Sequence, residues 1–207
     1  MSDRTFPRAQ SRATLLTVVA GLADAVGYIT MGGVFTANMT GNTVLAGIAA
    51  AAHNYVQTWH HLAPLIAFFL GAMLARLLLR LTRASTSALL LEAVLLAIVG
   101  FLDFGTEPAV LIVAAAMGLQ ASAITHFAGS AVSTVVVTST LARTADSLLD
   151  RLWRGQKTDL PTVSNTRILM LTWAGYFAGA VAGALMVPVF AYPLLVPAAL
   201  LLIVLAL

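Results

Sequence analysis

Long apolar runs separated by short polar stretches make up most of the chain. A helix needs about 20 predominantly apolar residues to cross a bilayer, and six runs meet that length. The candidate spans are residues 13–31, 62–81, 86–104, 109–127, 168–188 and 190–207. Two further segments, 33–52 and 128–142, carry polar residues in their middles. The pattern predicts an all-α integral membrane protein of six spans with two polar segments to be placed.

The basic residues place those two segments. One cluster precedes the first span, a second ends the second span, and a third lies between residues 142 and 168: Arg4, Arg8, Arg12; Arg76, Arg80, Arg83; Arg143, Arg151, Arg154, Lys157, Arg167. If 33–52 crossed the bilayer, the first two clusters would lie on opposite sides, against the cytoplasmic bias of basic residues. If 33–52 and 128–142 each enter and return, all three clusters and both termini are cytoplasmic. The loops 53–61 and 103–109 would then lie outside.

An internal repeat is visible beneath this pattern. The stretch "VAGLADAVGYITMGG" at 19–33 aligns with "AMGLQASAITHFAGS" at 116–130, which pairs Gly21 with Gly118. Two ladders of small residues also align: Ala67, Gly71, Ala75 and Gly175, Gly179, Gly183. Such ladders predict close helix packing, and the simplest arrangement is that the two ladders pack on each other. Each half has three spans, so the sequence predicts one domain of two inverted-topology repeats, about 12–104 and 108–207. Transporters and some channels have this architecture.

The composition is that of a membrane protein, and it excludes several kinds of functional site. The chain is 60% hydrophobic, 9% charged and has a mean hydropathy of +0.94, whereas soluble domains are about 25% charged. The absence of cysteine excludes disulfides and thiolate sites. His53, His60 and His61 have no metal-site spacing and are expected in a loop. We predict no enzyme activity, cofactor, metal or nucleic-acid partner.

The polar middle of 33–52 is the first candidate site. Backbone without internal partners is tolerated at membrane depth only where protein or water surrounds it. Thr40 or Asn42 would cap a short helix from Thr43, whose N-terminus would suit an anion or a carbonyl dipole. The proposed solute or ion pathway is lined by Asn38, Thr40, Gly41, Asn42 and Thr43, with Thr138, Ser139 and Thr140 in the second half. The alternative is that these residues are purely structural caps.

Polar residues within the spans are the second candidate set. Asp24 is near the middle of the first span with no basic partner in reach, which suits proton coupling, and Tyr28 lies one turn later. Gln120 aligns next to Asp24 and is expected to line the same cavity. Glu92 forms either an ion pair with Arg80 or Arg83 or a proton relay.

Two surface features predict contacts with the membrane. Arg76, Arg80 and Arg83 share a helix face and are expected to bind anionic lipid head groups. The segment 143–158 alternates charge with apolar residues, as an interfacial amphipathic helix does. A homodimer is compatible with so small a bundle.

The block "GLADAVGYITMGGVFTANMTGNTV" at 21–44, with "AMGLQASAITHFAG" at 116–129, resembles the YoaK family of bacterial inner-membrane proteins. Its D-A-x-G motif matches Asp24, Ala25 and Gly27, and its T-G-N-T motif matches Thr40 to Thr43. This chain has Ala121 after Gln120, where the family pattern has a polar amide. The resemblance implies a multi-pass inner-membrane location and supplies no substrate.

The residues leave more than one function open. A small-solute or ion transporter or channel, with a midplane site between the two broken segments, fits them best. A structural or regulatory membrane protein is the alternative, and 143–158 would be its docking element. A membrane enzyme is disfavoured because no histidine, serine or carboxylate group forms a catalytic set.

Overall fold

The computed structural model describes residues 5–124 and 166–207, together with residue 145. These residues contain seven α-helices and no β-strand, as the apolar pattern predicts. In chain order the helices are α1 (Thr5–Thr30), α2 (Met39–Ala51), α3 (Tyr55–Thr82), α4 (Thr86–Phe101), α5 (Thr106–Ile124), α6 (Thr166–Met186) and α7 (Leu195–Ala206).

Three stretches of helix in the described residues are long and apolar enough to cross a membrane: Ser11–Thr30, Tyr55–Thr82 and Thr106–Ala123. The remaining helices are apolar but shorter. With 12 residues, α7 is only about 18 Å long, less than the roughly 30 Å hydrocarbon core. The predicted span 190–207 therefore starts too early, because a turn containing Pro193 precedes Leu195.

The predicted loop at 53–61 is wrong, because α3 already begins at Tyr55. The side chain of Asn54 accepts a hydrogen bond from the backbone N–H of Gln57 at 3.1 Å and caps the helix. All but the first two residues of that stretch, including His60 and His61, are therefore helical.

The start predicted for the short helix in 33–52 is also wrong. Asn38 is its cap, and its side chain accepts from the backbone N–H of Gly41 at 3.2 Å. The helix therefore begins one turn earlier than predicted, and Thr40 and Asn42 lie inside it.

Glycines pack α6 closely along α1. Gly175 contacts Thr17, Gly179 contacts Val18 and Gly183 contacts Leu22. Because these contacts advance in the same direction along both helices, α1 and α6 are parallel. The prediction that the two small-residue ladders pack on each other is wrong, since Gly71 of α3 contacts Ala115 of α5 instead.

The α1–α6 and α3–α5 pairs are built alike. A Cβ atom on Gly21 of α1 would overlap the carbonyl oxygen of Tyr176 in α6, and one on Gly118 of α5 would overlap that of Phe68 in α3. In both pairs, the amide nitrogen four residues further along the partner helix would be 3.0 Å away. Gly21 and Gly118 are the residues that the sequence alignment pairs.

Several helix ends share one face of the bundle, which we call the upper face. The His60 ring in α3 contacts the carbonyl oxygen of Gly32, just beyond the end of α1, at 3.2 Å. Gly100, near the end of α4, packs against Leu195 at the start of α7. The upper face therefore contains the ends of α1 and α4 and the starts of α3, α5 and α7.

The buried apolar core lies mainly between α1, α4, α5 and α7. Among its fully buried side chains are Leu16, Leu89, Leu96, Met117 and Leu201. The same core also encloses polar side chains from α4 and α5, Glu92 and Gln120, which are 0% and 1% exposed. The apolar core therefore encloses a carboxylic acid on α4 and an amide on α5.

Candidate functional site

Asp24 binds the loop that joins α1 to α2. Its side chain is 3% exposed and lies six residues before the end of α1. The Oδ1 atom accepts hydrogen bonds from the backbone N–H groups of Thr36 at 2.7 Å, Ala37 at 2.5 Å and Asn38 at 3.2 Å. Because these groups all donate, the arrangement suits a carboxylate, which only accepts. These three backbone donors are thus already bonded within the protein.

The other oxygen of Asp24 joins this loop to a distant helix. Oδ2 accepts a hydrogen bond from the hydroxyl of Tyr176 in α6. One carboxylate therefore connects α1, the loop and α6. We call this arrangement, formed by Asp24, the backbone of 36–38 and Tyr176, the Asp24 clamp.

Gly27 lets the loop approach α1. A Cβ atom at Gly27 would lie 2.5 Å from Cγ2 of Thr36, whose side chain is fully buried. In the D-A-x-G motif, Asp24 supplies the acceptor for the loop and Gly27, about one turn later, supplies the space.

Gly41 and Asn42 hold Phe35 against α2. The Asn42 side chain is 0% exposed; its oxygen accepts from the Phe35 N–H at 2.9 Å, and its nitrogen donates to the Phe35 carbonyl at 2.6 Å. A Cβ atom on Gly41 would lie 2.8 Å from the Phe35 ring. The middle of T-G-N-T thus closes the loop onto its own helix.

The other predicted residues of this region lie at its surface. Tyr28 is 45% exposed and stacks on Phe35 with ring centroids 4.7 Å apart. Thr40 is exposed, and so is Thr43, whose hydroxyl donates to the carbonyl of Met39 at 2.8 Å. The structure therefore brings Asp24, Asn38, Gly41 and Asn42 together around the loop. Tyr28 stacks on the outside of this loop, and Thr40 and Thr43 are exposed on α2.

Glu92 of α4 and Gln120 of α5 are buried polar side chains in another part of the core. Within the described part of the chain, neither carboxylate oxygen of Glu92 has a hydrogen-bond partner, and no bond joins it to Arg80 or Arg83. Gln120 donates from Nε2 to the carbonyl of Leu16 at 2.9 Å, while its Oε1 is buried without a partner among the same residues. Among the described residues, these three buried acceptor atoms thus have no donor.

The helical rise gives the depth of these groups below the upper face. Glu92 lies nine residues before the end of α4, which corresponds to about 13 Å. Gln120 lies fourteen residues after the start of α5, or about 21 Å, and its partner Leu16 lies the same number of residues before the end of α1. Glu92 is therefore close to the middle of a bilayer-sized bundle.

A cavity of about 520 Å³ opens above them, and we call it the vestibule. It is lined by the ends of α1 and α4 and the starts of α5 and α7. Asp103 and Thr106 are on its wall, and Val26, Val99 and Ala109 are among its lining residues. The vestibule thus lies at the upper ends of α4 and α5, the helices that carry Glu92 and Gln120.

Several predicted residues lie outside the described residues. These are the segment 128–142, with Thr138, Ser139 and Thr140, and the segment 143–158 apart from residue 145. Arg76, Arg80 and Arg83 are described and exposed, and their binding of lipid head groups stays a prediction.

Sequence reasoning missed Tyr176. It directly follows Gly175, and the glycine ladder drew attention to packing rather than to hydrogen bonding. The available signal was a tyrosine within an apolar span, one residue from a ladder that predicts close helix packing.

Comparison with known proteins confirms the family resemblance. The model of the family "Protein of unknown function (DUF1275)" matches residues 12–207. The chain belongs to the DUF1275 family. This DUF1275 chain is also similar to the "UPF0700 transmembrane protein YoaK" of Bacillus subtilis (strain 168), with 34% identity over 191 residues, covering 86% of this chain and 83% of the relative. No solved structure matches this DUF1275 protein significantly. The transmembrane relative and the apolar helices together support a membrane location.

Proposed function

We propose that this protein is a transporter or channel for a small solute or ion in the bacterial inner membrane. The path runs from the vestibule down between α1, α4, α5 and α7, past Glu92 and Gln120. The observation that carries the proposal is Glu92, a fully buried carboxylic side chain without a partner among the described residues. Ionisable groups inside membrane bundles are costly and mark ion or proton pathways.

The proposal includes six spans, two re-entrant segments and inverted repeats, with both termini cytoplasmic. Matching contacts at Gly21 and Gly118 support the repeats. They pair α1 with α5 as equivalent helices, and these helices run in opposite directions, because α1 ends and α5 starts at the upper face. Such inverted halves are the basis of alternating access in many transporters.

The re-entrant course of 33–52 has its own support. Residues 36–38 bond to Asp24, which lies about 9 Å below the upper face by helical rise, whereas the start of α3 returns to Gly32 at that face. The segment thus enters and leaves by the same side. In this reading Asp24 has a structural role in the hairpin, and Glu92 is the group available to a solute.

Flux measurements on the purified protein in liposomes test the proposal. Monovalent cations, divalent cations, small anions, amino acids and protons are presented as separate gradients, with protein-free liposomes as the baseline. We expect flux of at least one class above that baseline. Absence of flux in every class, from protein that unfolds cooperatively and is correctly inserted, would rule out transport and leave the structural or regulatory alternative.

A further inference from the structure

Glu92 differs from Asp24 in what surrounds it, and the difference indicates what it binds. Donors surround Asp24, whereas the buried neighbours of Glu92 on its own helix are apolar: Ala88, Leu89, Ala93, Leu96 and Val99. An isolated carboxylate in such a setting is costly, because neither water nor a donor stabilises its charge. A proton removes that cost, since the neutral acid needs no counter-ion.

No described group of opposite charge faces Glu92. Its own helix α4 has no other titratable residue, and α7 has none. The helix α5 contributes only Glu107, which is exposed in its first turn. In α3 the titratable residues are Tyr55, His60 and His61 near its start and Arg76 and Arg80 near its end, and both arginines are exposed.

We propose that Glu92 is a reversible proton-binding site and that the proton is the ion that this protein moves or couples to. The coupling part of this proposal rests on the proposed function; the proton site itself does not. Protonation adds one hydrogen to a carboxylate oxygen and leaves a neutral acid, and deprotonation releases the same proton. A metal cation is disfavoured as the occupant because it needs several oxygen ligands, and the apolar neighbours of Glu92 on α4 offer no side-chain oxygen.

The vestibule supplies the entry for protons. Asp103, on its wall, is exposed, and its carboxylate accepts only a local hydrogen bond from the Gly105 N–H, at 3.0 Å, among the described residues. Among the described residues that line the vestibule there is no lysine, arginine or histidine, so its mouth favours positive charge.

Infrared difference spectroscopy of the protein in liposomes tests the proton site directly. We expect the carbonyl stretch of a protonated carboxyl group, lost as the pH is raised and absent from Glu92→Gln. Glu107→Gln is the matched control, because it makes the same change at an exposed position, and it should keep the band. If Glu92→Gln does not fold, Glu92→Asp replaces it and should shift the frequency of the band. A band that survives Glu92→Gln, or a wild-type protein with no such band at any pH at which it is folded, would overturn the proposal.

Proton flux, followed with a pH-sensitive dye inside the liposomes, tests the coupling. Glu92→Gln should reduce the flux by about tenfold or more, as expected when a proton-carrying group is removed, while Glu107→Gln leaves it unchanged. A titrating Glu92 band without flux of any tested class would support the proton site and overturn the transport function. Flux that is unaffected by Glu92→Gln would support transport and overturn the role of Glu92.

Discussion

At the scale of single residues, the two buried acids have opposite environments. Asp24 accepts bonds from the loop backbone and from Tyr176, whereas Glu92 has no hydrogen-bond donor among the described residues. Breaking a network of bonds to a buried acceptor leaves donors unsatisfied, while replacing an unpartnered buried acid with an apolar residue of similar volume is often neutral or stabilising. Asp24 is therefore expected to maintain the fold, and Glu92 is the better candidate for function.

Replacing Asp24 with Ala should lower the free energy of unfolding by about 3 kcal/mol or more, because three backbone N–H groups, two of them buried and one partly buried, lose their acceptor. The measurement is the thermal unfolding midpoint in detergent, followed by tryptophan fluorescence.

Asp103→Ala is the matched control, since that exposed carboxylate accepts only the Gly105 N–H among the described residues. Its midpoint should hardly change. Equal shifts for the two variants would show that the Asp24 clamp does not stabilise the hairpin.

At the scale of helices, close approach at glycine determines the pairing. Gly21 and Gly118 each lie against a partner carbonyl, whereas a Cβ atom on Gly47 of α2 would meet nothing within 4 Å. All three positions are helical, so a glycine-to-alanine change gives each the same gain in helix propensity. Only the space beside the Cα differs.

Gly21→Ala and Gly118→Ala should each destabilise the protein by about 1–3 kcal/mol or more, and by similar amounts, because each forces a helix pair apart. Gly47→Ala, the control, should be neutral or stabilise by up to about 1 kcal/mol. Unfolding midpoints of the three variants provide the comparison. Tolerance of alanine at Gly21 but not at Gly118 would contradict the equivalence of the two pairs.

At the scale of the whole molecule, the two halves share their packing but not their polar chemistry. The register that matches Gly21 with Gly118 places Ala121 opposite Asp24, and Phe68 opposite Tyr176. An Asp–Tyr pair in one half thus corresponds to an Ala–Phe pair in the other. The second half therefore lacks the side chains to form a second Asp24 clamp.

Single cysteines test the proposed topology, since the natural chain has none. With an impermeant maleimide on intact cells, cysteines replacing Asn54, Asp103 or Phe190 should be labelled, because they lie in upper-face connections. A cysteine replacing Ser85 should be labelled only after permeabilisation. Cysteines replacing Thr30 and Asn54 flank 33–52, and labelling of these two positions from opposite sides would contradict its re-entrant course, because a crossing segment would separate them.

The sequence was a good guide to the parts of this protein that depend on local pattern. Apolar runs predicted the helices, and the polar Asp24–Thr43 block predicted where the chain departs from a simple span. The sequence did not show which helices pack on each other, because a small residue indicates close packing without indicating the neighbour. The predicted packing partners of Gly71 and Gly179 were therefore wrong. The contrast between Asp24 and Glu92 was hidden for the same reason, since hydrogen-bond donors come from residues distant in the chain.

The pairing of α1 with α6 has a consequence for biosynthesis. The partner of α1 begins 136 residues after α1 ends, so at 5–20 residues per second the ribosome needs roughly 7–27 s to complete that gap. During this interval Asp24 can already bind its neighbouring loop, but the tyrosine that completes the arrangement has not yet been synthesised. The nascent first helix must therefore remain in the membrane with its surface at Gly21 unpaired until translation is nearly complete.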